Sequence, residues 1–463
     1  MGTLQGLSQL AVMVVTVPGS LYMAEGWRGD EAWADAQERA KGAEVSLIME
    51  DYAPPKLKEG DPFMENAVFR AEIEAPREKQ LTGWSEWLAQ RPEVKRGRWQ
   101  LNPATGRSPL YQEYFKVESE EAAAREKVAE IVAPFERRFD AFGKALLSKP
   151  AQTVYASLLD DQDAASDYLV AGQGVMRFGK DLAVLAIRSN DGKLAIQRIR
   201  VIERMAETFR ASNLIGALLD RAGKSLVDRV IWEGVRLRVW DGADLKLLEE
   251  LVSKREYEEN LKESFFYEAA WLIDLLQKPG GMEGFLIFPR KRKTLEQQFD
   301  QWWFFEGGQG WRDHRKARAV HCHVDMWAWF DQPIEKRGEF PVAEPKPWWS
   351  PVSKVDLAFV GLKRAATVLT KVAPTRDRIV LAAIACELRF LKEGNYPESL
   401  ADLKLPFPLT DLADPEFGDL VYKLGPRGRP VIWSAAEEER DEEVRYRGLR
   451  WQFFESTPEK KKR

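Results

Sequence analysis

Between residues 176 and 277 the sequence reads as one helix after another with short polar turns between them, and this stretch limits the fold more than any other. Leu182, Ala183, Val184, Leu185, Ala186 and Ile187 run into the turn Asn190-Asp191-Gly192. Leu194, Ala195, Ile199, Ile202, Met205, Ala206 and Phe209 then recur at the spacing that gathers side chains on one helical face. Segments 213–222, 226–238 and 244–252 repeat the pattern, and 258–276 closes it. Gly192, Gly223 and Gly242 fall between the segments, as C-cap glycines do. Short turns between long helices make neighbours antiparallel, so the expected fold class is mainly α, a helical bundle or an array of hairpins. No internal period is firm enough to name a repeat.

A different pattern stands near the C-terminus. An apolar, helix-like run over 375–393 is closed by Gly394-Asn395-Tyr396-Pro397, and Asp414-Pro415 leads into Val421-Tyr422 and Val431-Ile432-Trp433-Ser434. Gly394 is expected in the left-handed conformation that ends a helix, Pro397 prevents continuation, and Tyr396 packs back. Ile379, Ala383, Cys386 and Phe390 share a face of the run and are expected to be buried against a small antiparallel sheet containing Val421 and Val431. The fold class is completed by this small α/β module.

A buried helix ended by Gly-x-Tyr-Pro, followed by an Asp-Pro turn and short strands, resembles the C-terminal module of type II secretion pseudopilins. It is similar also to a group of uncharacterised bacterial envelope proteins that reuse that module. Their order of an anchor, a Trp-Arg-Gly helix and a Pro-Pro connector resembles Trp27-Arg28-Gly29, then Pro54-Pro55. The resemblance implies a compartment and a fold, with Gly394, Tyr396, Pro397, Asp414 and Pro415 as structural positions, and no reaction. Pseudopilins carry a calcium loop after the Ser-ended strand, but here Ala435-Ala436 and a glutamate-rich run at 437–443 replace its Asp-Gly pattern, so no cofactor is expected. The pseudopilin methylation segment, Gly-Phe-Thr-Leu-x-Glu, is missing too, so membership of a secretion filament does not follow.

The N-terminus bears on location. Residues 4–23 carry no charge, and 10–17 are strongly apolar, close to the ~20 residues of a spanning helix. Tyr22 and Trp27 suit a membrane interface, whereas Gln5, Ser8, Gln9 and Pro18-Gly19-Ser20 favour a buried core segment, and no Lys or Arg precedes the run. The expected location is membrane-anchored through this segment, with the bulk outside the cytoplasm; the alternative is cytoplasmic. After it, Asp30 and Glu31 mark a helix start and Gly42 its stop. With a net charge of −4 the chain has no global basic field for nucleic acid. Two cysteines, Cys322 and Cys386, exclude a disulfide scaffold or a cysteine-rich zinc site and leave their pairing open.

Signals of chemistry are sparse. All three histidines lie in Asp313-His314 and His321-Cys322-His323-Val324-Asp325, on a helix expected over 311–330. His321, His323 and Asp325 are the candidate metal ligands, yet a site needs three or four convergent donors and no second cluster supplies the rest. Polar positions at a helix interface are the favoured reading. Gly172-Gln173-Gly174 with Gly179 lacks the spacing and the Gly-Lys-Ser/Thr of a phosphate loop and reads as a turn. No Gly-x-Ser-x-Gly elbow occurs, and 73 carboxylates make chance acid pairs inevitable.

The expected organisation is an anchor over 1–25, a helix and extended connector over 26–117, a helical domain over 118–332, a Pro-rich linker over 333–354 and the module over 355–463. The expected function is a non-catalytic, envelope-anchored structural or interaction protein with an unidentified protein partner. The alternatives are a metal-dependent hydrolase centred on the His-Cys-His-x-Asp cluster and a soluble helical scaffold.

Overall fold

The computed structural model describes residues 26–48, 51–52, 121–148, 162–210, 213–255, 258–277, 309–334, 337, 340–341, 362–363, 365–413, 418–425, 428–434 and 450–451. The protein is mainly helical with a small antiparallel sheet near its C-terminus. It forms two compact units, the first from Met1–Ala53, Ser212–Leu214 and Leu261–Val368, the second from Pro54–Ala211, Ile215–Asn260 and Leu369–Arg463. The candidate anchor at 4–23, Asp414, Pro415 and the glutamate run at 437–443 lie outside the described residues. Among those described, no helix is long and apolar enough to cross a membrane.

The first unit contains α1, helical over 26–42, α7 (Glu258–Gln277) and α8 (Gln309–Phe330). Asp30 lies inside α1, which is already helical at residue 26, so it is not the N-cap that the sequence suggested. Phe265 packs its ring 5.6 Å from both Phe330 and Phe340, and Phe266 lies 4.5 Å from Trp327. Arg337 finishes α8 by donating to the carbonyls of Phe330 (2.7 Å) and Gln332 (2.8 Å), which satisfies acceptors that a helix end leaves open.

The second unit contains α2 (Glu121–Leu147), α3 (Gln162–Arg188), α4 (Gly192–Glu207), α5 (Leu214–Leu237), α6 (Gly242–Ser253) and α9 (Ala373–Glu393). α3 and α4 make a tight hairpin. Asp191 caps α4 by accepting from the Leu194 N–H at 2.9 Å. Phe139, Phe178, Ile199, Ile202, Val230 and Ile231 are buried in a core that continues through Ile379, Ala383 and Ile432. Each such side chain contributes about 1.5–3 kcal/mol by leaving water. Residues between Phe139 and Val252 of the expected helical domain thus share one core with α9 and Ile432 of the expected module.

The expected C-cap glycines are corrected by this structure. Gly192 and Gly242 open helices, and Gly223 lies inside α5, so the segments 213–222 and 226–238 are one helix. The left-handed turns fall on Asn190 (φ 60°) and Arg238 (φ 57°), and likewise on Glu44 (φ 55°) after α1 instead of Gly42. At all three, paired bonds back into the last helical turn, such as Asp191 N–H to Ala186 O and Asn190 N–H to Ile187 O (both 2.9 Å), outweigh the cost of a side chain at positive φ. Gly223 serves close packing: a Cβ there would come within 2.5 Å of Met176 Sδ and 2.7 Å of Ala206 Cβ. Gly172 and Gly179 are not a turn either; both lie in α3, against Phe209 and Phe139.

The helix-like run that the sequence places over 375–393 begins earlier, and no break falls at Pro374. A π-helical turn, Val368–Val372, runs directly into α9, and Pro374 stands in the first turn of α9 just after it. Three antiparallel strands follow, β1 (Val421–Leu424), β2 (Pro430–Trp433) and β3 (Arg450–Trp451), in that order, with Val421 opposite Trp433. Asp411, fully buried, accepts from Ser434 Oγ (2.5 Å), Thr375 Oγ1 (3.3 Å) and the Ala413 N–H (3.0 Å), joining the start of α9 to the end of β2.

Candidate functional site: a buried charge cluster

Eight charged side chains meet inside the second unit. α4 brings Glu203; α5 brings Asp220, Arg221, Lys224 and Asp228; α9 brings Arg376 and Asp377; Arg255 stands just beyond α6. Arg255 is the hub. Its Nη1 lies 2.6 Å from Asp228 Oδ1 and 2.8 Å from Asp377 Oδ1, and its other nitrogens reach Glu203 and the Lys224 carbonyl. Arg376 Nε holds the other Asp228 oxygen at 2.9 Å, Lys224 pairs with Asp220 at 2.5 Å, and Arg221 approaches Asp377 at 3.5 Å.

The four carboxylates, Glu203, Asp220, Asp228 and Asp377, match four cations, Arg221, Lys224, Arg255 and Arg376. The balance matters because an isolated buried ion is far costlier than a paired one. Burial pushes Glu203 up, and Arg255 and Lys224 oppose it. Burial pushes Asp228 up as well, but Arg255, Arg376 and Arg221 outweigh it and hold its carboxyl below the usual range. Burial lowers the Lys224 ammonium, with Asp220 opposing. Groups matched in this way spend their charge on one another. The arrangement ties four chain segments together, although Asp220 Oδ1, Asp228 Oδ2 and Asp377 Oδ2 are buried without a hydrogen bond.

The sequence carried a signal for this cluster that periodicity alone passes over. Asp220, Lys224 and Asp228 stand four residues apart, so they form one stripe of alternating sign along α5. They share the helix with Val227 and Ile231, both buried, so the stripe points inward.

The candidate metal residues are dispersed. His321 and Asp325 face α1: Arg39 donates to His321 Nδ1 at 2.9 Å and to Asp325 Oδ1 at 2.6 Å. His323 is fully buried two residues on, stacked on Phe266 with ring centres 5.4 Å apart. Among the described residues no group of three or more His, Cys, Asp or Glu is placed to hold a metal ion. Both cysteines are buried thiols, and burial raises Cys386 to about 12, which makes it inert.

The structural positions of the C-terminal part are local and specific. Gly394 takes φ 78° and donates to the Phe390 carbonyl at 2.8 Å, the left-handed ending the sequence implied. Tyr396 stacks on Phe390 at 4.5 Å and donates to Glu387 at 2.9 Å, while the Pro397 carbonyl accepts from Tyr422 at 2.6 Å. Ile379, Ala383 and Cys386 are buried and Phe390 partly so, and the buried strand residue that shares their core is Ile432, whereas Val431, though buried, is not part of it. Compared with family models, curated proteins and solved structures, the chain matches none.

Proposed function

We propose that the chain is a non-catalytic, envelope-anchored structural or interaction protein whose helical body and C-terminal helix and sheet work as one rigid piece. The observation that carries this reading is the closed charge cluster around Arg255. A site built for chemistry keeps groups unmatched and poised toward a reactant; here four chain segments pair their charges with one another. Anchoring is supported by the uncharged run at 4–23 and by Trp27, 69% exposed at the start of α1, where an interfacial aromatic belongs. The likeness of the C-terminal part to pseudopilin modules points to the same compartment.

Fractionation of cells expressing the full chain, and a form lacking 1–25, tests the anchor. The full chain should need detergent for release and the shortened form should not. Recovery of the full chain in the soluble fraction rejects anchoring. Metal analysis of the purified chain tests the non-catalytic reading: stoichiometric metal lost in His323→Ala would favour the hydrolase instead.

A further inference from the structure

Two of the three histidines, neighbours on α8, lie beneath the same segment of the first unit, and both are placed where a proton is unwelcome. That segment comprises α1 and the residues following it to Tyr52. It holds α8 through Arg39, which bonds His321 and Asp325, and through Trp33, whose ring lies 4.5 Å from Lys316 Nζ. Tyr52 covers the other histidine, its ring 5.7 Å from His323 and 5.7 Å from Phe266. Ala36, Ala40 and Val45 of the segment are buried.

A guanidinium is only a donor, so the 2.9 Å bond from Arg39 requires His321 Nδ1 to accept, which a doubly protonated ring cannot do. The other groups facing His321 are Asp35, whose Oδ2 lies 3.9 Å from Nε2, and Asp325 and Arg318 on α8 itself. His323 is buried with neither ring nitrogen hydrogen-bonded. Tyr52 covers it from the segment, with Asp51 beside it tied to Ser46; α7 supplies Phe266, with Lys262 Nζ 5.9 Å from that ring. Among the described residues, burial is what acts on the His323 ring, with no opposing carboxylate.

We propose that residues 26–48 with Asp51 and Tyr52 form an acid-released strap over α7 and α8, with His321 and His323 as its proton-sensing positions. Burial, then Arg39, lowers His321, although Asp35 and Asp325 oppose them; burial alone lowers His323 to about 3. Both rings therefore bind fewer protons when covered than when released. Docking is at full strength above the ordinary histidine value of about 6.5 and weakens as pH falls through it.

Hydrogen exchange of the full chain at several pH values tests the strap. After correction for intrinsic exchange, protection of 26–48 should fall at least tenfold between pH 7.5 and 5.0, while Ile196 to Met205 in the second unit keep theirs. In His321→Gln, whose amide oxygen still accepts from Arg39, the loss should be smaller, and in His321→Gln/His323→Phe it should be nearly abolished. Constant protection of 26–48 in the wild type overturns the proposal, as does simultaneous loss in both units, which is general acid unfolding. An undiminished pH response in His321→Gln and in the double variant also overturns it; if the double variant does not fold, the wild-type series and His321→Gln decide.

Discussion

The His323 pocket of the first unit and the charge cluster of the second bury polar groups in opposite ways. In the second, eight charges are buried together and nearly every one has a partner of opposite sign within 3 Å. In the first, one neutral imidazole, His323, sits among rings with no hydrogen bond at all. The charge cluster is costly to break, because removing one member leaves the others unmatched; the imidazole is costly to keep and cheap to replace. Paired charge specifies which helices meet and in what register. An unpaired imidazole specifies little and leaves its surroundings sensitive to protons.

The sharpest break of this contrast is Arg255→Met. It leaves Glu203, Asp228 and Asp377 buried around a neutral side chain, and loss of one member of such a set costs about 3–5 kcal/mol. Urea unfolding of the full chain measures it, and a loss under ~1 kcal/mol counts against the cluster as a unit. The opposite sign is expected at His323. Replacing an unsatisfied polar ring by an apolar ring of similar shape, as in His323→Phe, should stabilise by about 1–3 kcal/mol at neutral pH. The gain should grow as pH falls below about 6.5, because the folded value is depressed and wild type alone must then keep the ring unprotonated. Thermal melts at pH 7.5 and 5.0 check both signs. Gly394→Val should destabilise by about 1–2 kcal/mol, since only the left-handed backbone fits there, and Gly394→Asn by less. Equal melting temperatures for Gly394→Val and wild type would contradict the cap.

Local rules were legible in the sequence where one residue type answers one physical demand. Gly394 had to end a helix and Pro397 had to follow it, and Ile379, Ala383 and Cys386 had to share a face. Reading failed where tertiary contact overrode the local preference. Gly223 looked like a terminator but is needed inside α5, because Met176 and Ala206 leave no room for a Cβ. Asn190, Arg238 and Glu44 took the left-handed turns because the hydrogen bonds of the ending outweighed a modest backbone cost. The charge cluster joins residues more than 120 positions apart, such as Arg255 and Asp377, and spacing within one helix reveals only its α5 stripe. His321, His323 and Asp325 looked like one constellation because they are close in sequence, yet on α8 His321 and Asp325 turn to Arg39 while His323 stacks on Phe266.

The central claim is that Arg255 ties the C-terminal helix to the helical body energetically, beyond mere contact. A double-mutant cycle in the full chain, with Arg255→Met, Asp377→Leu and the two combined, measures that tie in urea. Coupling of about 1.5–3 kcal/mol is expected, because each single change leaves a charge unmatched that the second removes. Costs that add to within ~0.5 kcal/mol would mean that the two residues do not act together, and would contradict the account.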